Sequence, residues 1–330
     1  MKFRSKNLLV TGGAGFIGSN FINYLLKKYN EINIYNLDLL TYAGNLDNTS
    51  NFINNPKYIF INGDICDKTI VQNIFDKYKI DGVINFAAES HVDNSINNPE
   101  KFIRTNINGV FNLLSCAYTS WMNKPFEIKK EYRNSRFHQI STDEVYGSIL
   151  KGSFNEESPY QPNSPYSASK ASADMIVRSF NKTYGLNTSI SICSNNFGKN
   201  QHKEKFIPTV IENLINNKPI PVYGNGENIR DWISVYDHCS AIDILFNKSD
   251  FGSTYNVGGN NELSNINLIN IVFEILKKYK NINKNIEFVN DRFGHDFRYS
   301  LNIKKIKNDL NWFPGTNFKI QLENYIKELL

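Results

Sequence analysis

The sequence predicts an α/β fold: a doubly wound parallel sheet with helices on both faces, plus a smaller α/β lobe toward the C-terminal end. Three observations predict it. Short apolar runs alternate with helix-length amphipathic stretches through the first half of the 330 residues. A glycine-rich turn joins the first run to the first such stretch. After residue 184 the alternation loosens, prolines intervene, and strand-like and helical segments then resume. Alternating strand and helix implies parallel strands joined by right-handed crossovers. The length suits one large domain or two modest ones.

Residues 7–11 read as the first strand. Residues 16–29 follow as a helix whose apolar positions are Phe16, Phe21, Leu25 and Leu26. Strands are expected over 32–38, 58–62, 82–87 and 136–141, and helices over 69–78, 101–120 and 167–184. Pro208, Pro219 and Pro221 then break the pattern, and 224–226 makes a turn. A strand over 253–257 brings the chain back to the sheet, and a helix spans 267–278. Residues 1–184 therefore form the sheet domain, with a return around 231–257, and 185–330 form most of the second lobe.

Hydrophobic residues make up 41% of the chain and aromatics 13%, enough for a packed core and too much for general disorder. Lys and Arg number 37 against 32 Asp and Glu, a net +5. That excess is thin and forms no basic stripe interleaved with aromatics, so no nucleic-acid partner is expected. The apolar runs are strand-sized, and neither a membrane span nor a signal core is visible, so a cytoplasmic chain is expected. Cys66, Cys116, Cys193 and Cys239 are too far apart for a zinc motif, so no metal is expected and the thiols read as reduced. Asparagine is the oddity, with about 50 copies, most of them in tolerant stretches such as 281–285.

Thr11-Gly12-Gly13-Ala14-Gly15-Phe16-Ile17-Gly18 lies between a strand and a helix. Glycines at 12, 15 and 18 permit a tight turn and let backbone approach a pyrophosphate at the positive helix N-terminus. Asp38 ends the second strand, where a carboxylate accepts hydrogen bonds from ribose hydroxyls and repels a ribose phosphate. No Arg lies in 39–45, so NAD is favoured over NADP. Asp64, at the end of the third strand, suits the adenine edge and a turn cap equally well.

Tyr166 and Lys170 are four apart on a predicted helix and so share a face. A lysine cation there is expected to lower the tyrosine pKa and make it a base. Ser141-Thr142-Asp143-Glu144 follows the strand over 136–141, at the sheet edge where ligands bind in open α/β folds. Two carboxylates beside a nicotinamide can divide into an acid and a base. A solvated loop or helix cap fits the same four residues.

With these residues in hand, the chain resembles the extended short-chain dehydrogenase/reductases of Rossmann type, and among them the nucleotide-sugar 4,6-dehydratases of the dTDP-glucose 4,6-dehydratase kind. The resemblance rests on 11–18, 85–93, 141–147, 166–170, 194–198, 204–208, Arg230-Asp231-Trp232 and 291–296. It implies NAD contacts from Gly12, Gly15, Phe16, Ile17, Gly18, Asp38, Asp64, Ile65, Ala87, Ala88, Thr105, Tyr166, Lys170 and Asn196. It implies contacts to the nucleotide-sugar from Ser90, Thr142, Asn195, Lys205, Arg230, Asn265, Arg292 and His295. His295 beside Asp291 also fits a structural pair. Thr142, Asp143, Glu144, Tyr166 and Lys170 would be catalytic. Relatives form homodimers through four helices, here 101–120 and 167–184. Phe293, Phe297 and Asn94 depart from the usual motif residues, near the expected base and sugar pocket.

The implied reaction makes a 4-keto-6-deoxy sugar nucleotide from dTDP-glucose or UDP-glucose. Other readings remain open. A 4-epimerase or decarboxylase would leave the acid pair idle. A UDP-N-acetylglucosamine 4,6-dehydratase could act with or without inversion at carbon 5, although inverting families usually carry Lys where Glu144 stands. A cofactor-sensing regulator would be expected to have lost Tyr166 or Lys170.

Overall fold

The computed structural model describes residues 3–315 and 317–330. Seven parallel strands form the central sheet. From one edge to the other they are Ser253–Val257, Thr188–Cys193, Arg136–Thr142, Gly82–Asn85, Asn7–Thr11, Asn33–Asp38 and Tyr58–Asn62. The chain runs outward from Asn7–Thr11 in one direction, then restarts at Gly82–Asn85 and runs outward in the other. The strand order therefore reverses between these two neighbours, and a crevice opens there at the carboxyl ends.

Side chains alternate across each strand and feed two cores. Leu8, Val10 and Ile84 pack with Phe21, Leu25, Ile242 and Phe246, from helices Phe16–Lys28 and Val235–Lys248. Leu9, Val83 and Phe137 point the other way, against Val71, Leu113 and Val177 of Lys68–Tyr78, Val110–Trp121 and Pro165–Tyr184. Each such fully buried side chain contributes about 1.5–3 kcal/mol.

The second lobe has its own core of Phe197, Val210, Trp232, Leu268 and Leu322. There Ile229–Ser234 pairs with Asn195–Phe197 and Glu262–Ser264, and Ile220–Tyr223 with Ile286–Val289. The chain re-enters the sheet layer with helix Val235–Lys248 and its edge strand Ser253–Val257. The expected stretch from 231 thus begins with a strand of the second lobe.

Most expected elements lie within a residue or two of their predicted ends. The exceptions are instructive. The strand Thr188–Cys193 was not expected, yet it is buried along its whole length. The helix expected over 101–120 is broken into Pro99–Phe102, a π-helical stretch Ile103–Gly109, and Val110–Trp121. The wide turn seats the Asn106 amide inside the protein. It accepts from Glu89 N at 2.9 Å and donates to Glu89 O and to Ser169 Oγ at 2.8 Å. Gly109 then lies against Ile65, whose side chain leaves no room for a Cβ.

Candidate active site

The carboxyl ends of the strands line one cavity of about 370 Å³. The glycine turn forms its floor. Gly12 has φ +69°, and a Cβ there would lie 2.7 Å from Ala87 N. The helix that follows has no side-chain cap and no acidic residue in its first turn. Its N-terminal N–H groups and positive dipole end therefore suit an anion. Every residue expected to contact the cofactor lines this cavity.

Asp38 accepts from Ala14 N at 2.9 Å through Oδ2 and from Leu40 N at 2.8 Å through Oδ1. Burial raises its carboxyl above the ordinary value against those two amides. Asp64 serves as a turn cap, accepting from Cys66 N at 2.8 Å, while Arg104 holds its other oxygen at 2.6 Å. It also lines the cavity.

The far wall carries the acid–base groups. The strand Arg136–Thr142 ends in a tight turn, Asp143–Tyr146, capped by Thr142. Helix Pro165–Tyr184 starts at a reciprocal Ser164/Ser167 capping box with Pro165 in its first turn, and ends at Gly185 with φ +70°. These signals place Tyr166 and Lys170 one turn apart beside Thr142. Tyr166 is only 8% exposed and Lys170 5%. Lys170 Nζ donates to Ile140 O at 2.6 Å.

The tyrosine was expected to have a lowered pKa. Instead it is held well above its ordinary value, by burial first and then by Glu144, with Thr142 pulling it down. The lysine, turned toward the Ile140 carbonyl, is not among the groups that lower it.

The two acids differ. Asp143 is 2% exposed and its Oδ2 has no hydrogen-bond partner. Burial, then Glu144, hold its carboxyl well above the carboxylate range. Glu144 is raised less, because Arg292, Arg230 and Lys205 pull against its burial. Both carboxyls are therefore pushed toward the protonated form, Asp143 much further than Glu144, which leaves Glu144 the more acidic of the two.

Of the residues expected at the nucleotide-sugar, Ser90, Thr142, Asn195 and Lys205 line the cavity. Lys205 Nζ donates to Ser90 O at 3.0 Å. Arg230, Asn265, Arg292 and His295 form an adjoining cluster rather than the cavity wall. The Arg230 guanidinium donates to Ile229 O, Phe297 O and Asp296 O at 2.8–3.2 Å and stacks on Tyr299. His295 sits 2.6 Å from Asp291, the structural pairing. Asn265 reaches the cluster only through its backbone, donating to Asn228 O. Arg292 faces Asp93 at 3.7 Å.

Sequence reasoning missed Lys101, Arg104 and Glu89. Lys101 pairs with the buried Glu89 at 2.9 Å, and both line the cavity. Lys101 and Arg104 lie in a segment that read as plain helix, so nothing local marked them, and Glu89 lies in the 85–93 motif without having been given a role. No group of His, Cys, Asp and Glu able to hold a metal ion occurs among the described residues. The four cysteines are free.

Comparison with known proteins follows the same lines. The family model described as GDP-mannose 4,6 dehydratase matches residues 9–325. A dTDP-glucose 4,6-dehydratase of Neisseria gonorrhoeae is 44% identical, with 98% of this chain and 95% of that protein aligned. One of Haemophilus influenzae is 44% identical, with 97% of each aligned. A dTDP-glucose 4,6-dehydratase structure from Streptomyces venezuelae, with NAD bound, superposes at TM-score 0.88 and 39% identity, covering 97% of this chain and 96% of the other. Glycine turn, acid pair and Tyr166–Lys170 thus sit in a frame shared along the whole chain, which belongs to the GDP-mannose 4,6 dehydratase family.

Proposed function

We propose that the protein is an NAD-dependent nucleotide-sugar 4,6-dehydratase that converts dTDP-glucose to the 4-keto-6-deoxy sugar nucleotide. The observation that carries this reading is the acid pair. Asp143 and Glu144 sit in one cavity with Tyr166 and Lys170, and their surroundings raise the Asp143 carboxyl more than the Glu144 carboxyl. Oxidation at carbon 4 alone would give them no work. The glycine cradle and Asp38 fit NAD, since a Cβ at Gly12 would fill the approach and Asp38 favours ribose hydroxyls over a phosphate.

In this reading Tyr166 takes the proton of the sugar 4-hydroxyl, and Thr142 hydrogen-bonds that oxygen. Lys170 lies behind the tyrosine, at the Ile140 carbonyl. NAD held by the glycine turn and Asp38 would supply the hydride acceptor for carbon 4 and the hydride donor for carbon 6. The new ketone acidifies the proton at carbon 5, which Glu144 removes. Asp143 protonates the departing 6-hydroxyl, so water leaves, and a proton then returns to carbon 5. The cofactor is regenerated each cycle and has no need to dissociate. Lys205 and Arg292 supply charge for the diphosphate.

Residues 1–184, with the return through 235–257, hold the cofactor in this reading, and the second lobe holds the nucleotide-sugar. No helix among the described residues is long and apolar enough to cross a membrane. A cytoplasmic homodimer completes the proposal. It is supported by Phe111 and Met175, each about half exposed on the helices Val110–Trp121 and Pro165–Tyr184.

The test is incubation with dTDP-glucose, UDP-glucose and UDP-N-acetylglucosamine separately, without added NAD. Alkali-labile 4-keto product is expected fastest from dTDP-glucose, with carbon 5 unchanged by NMR. No product from any of the three sinks the reading.

A further inference from the structure

Asp174 lies one helical turn beyond Lys170, so Tyr166, Lys170 and Asp174 follow at four-residue steps on one helix face. It is fully buried. Its Oδ2 accepts from Ser141 Oγ and, at 3.3 Å, from Tyr160 Oη. Its Oδ1 has no hydrogen-bond partner. A buried carboxylate this poorly satisfied is costly unless its charge has work to do.

Lys170 presents the matching problem. Its one hydrogen bond, to Ile140 O, does not decide its charge, because a carbonyl accepts from an ammonium and from a neutral amine alike. An ammonium buried to this degree loses its proton unless a negative charge opposes the loss. The other titratable group that faces it is Cys193, whose thiol burial pushes up to about 12, so it is neutral.

We propose that Asp174 is the counter-charge that holds Lys170 as an ammonium, and that the working set on this helix is Tyr166, Lys170 and Asp174. The proposal rests on the reading of Tyr166 and Lys170 given above. Asp174 does not touch the cavity, so it is a positioning residue acting through Lys170. Burial pushes its carboxyl up to about 6, with Lys170 the strongest pull in the other direction, so it is ionised at neutral pH.

Every element around the pair fits this assignment. Arg178, on the same helix, is exposed and acts only weakly on Asp174. Ser141 comes from the strand Arg136–Thr142. Tyr160 and Tyr146, from the loop and turn packed opposite, are phenols pushed far up by burial and so stay neutral. Lys170 is the cation that acts most strongly on Asp174.

The test uses the holoenzyme and dTDP-glucose turnover across pH. Asp174→Asn keeps the size and an acceptor for Ser141 and Tyr160 but removes the charge. The alkaline limb of kcat is expected to fall by about one pH unit or more, as Lys170 sheds its proton earlier, with KM unchanged. Asp174→Ser, which leaves room for water, is expected to shift the limb likewise and serves if the Asn variant does not fold. Arg stays charged at any working pH. In a Lys170→Arg background, Asp174→Asn should therefore move the limb no further. A limb that stays in place in a folded Asp174 variant, with activity merely lower at every pH, overturns the proposal. Tyr166→Phe and Lys170→Met provide the separate check: turnover that survives them sinks the site reading itself.

Discussion

Arg292 Nη1 lies 3.7 Å from Asp93 Oδ1, and Tyr223 donates to the other Asp93 oxygen at 3.2 Å. Asp93 follows the strand Gly82–Asn85, whereas Arg292 and Tyr223 belong to the second lobe. The contact therefore ties the lobes together beside the cavity and keeps a cation near Glu144.

The first prediction concerns that cation. Arg292 is the strongest influence pulling the Glu144 carboxyl down against burial. Arg292→Met removes it, so the Glu144 pKa rises and the ionised base is lost at a higher pH. The acid limb of kcat should move upward, and KM for dTDP-glucose should rise about tenfold or more as a diphosphate contact disappears. A pH series of initial rates reads both. An acid limb at its wild-type position contradicts the role given to Arg292.

Gly12 supports a second prediction. Alanine there must adopt φ +69° and meet the backbone of Ala87 at 2.7 Å. Gly12→Ala should cost about 2 kcal/mol or more in stability and empty the protein of NAD as purified. Thermal unfolding and the cofactor content of denatured protein check this. Full NAD occupancy in the variant would contradict the cradle.

The apolar helix face supports a third. Phe111 is 53% exposed, and Phe111→Glu adds a charge where two copies are proposed to meet. Sedimentation should show a monomer with an unchanged circular dichroism spectrum. A variant that sediments as the wild type does contradicts this choice of interface.

The strands that read clearly from sequence are those built from Leu, Ile and Val, such as Asn7–Thr11. Thr188–Cys193 did not, because Ser189 and Ser191 look like loop residues. Both serines are buried, and each takes one ring nitrogen of His138, at 2.8 and 3.0 Å. That pairing joins residues some fifty positions apart, so no local pattern announces it. Arg136 is similar: it looks like a surface charge but is fully buried, donating to the carbonyls of Leu245, Phe246 and Ser249 behind helix Val235–Lys248.

The candidate site divides the same way. The glycine turn, Asp38, the acid pair and Tyr166–Lys170 carry their geometry in short spacings, and the structure gathers them in one cavity. The placement of Lys101 and Arg104 depends on a π-helical turn set by Asn106, and the raised tyrosine pKa depends on burial against Glu144. Both are tertiary facts that spacing does not encode.

The account stands on the division of labour between Asp143 and Glu144. The most direct test is the Asp143→Asn, Glu144→Gln double variant, mixed with dTDP-glucose and followed by nicotinamide absorbance and product NMR. The first oxidation should proceed, the reduced cofactor should accumulate, and 4-keto-6-deoxy product should form about 100-fold or more slowly than in the wild type. Product at the wild-type rate, with no reduced cofactor accumulating, would contradict the account.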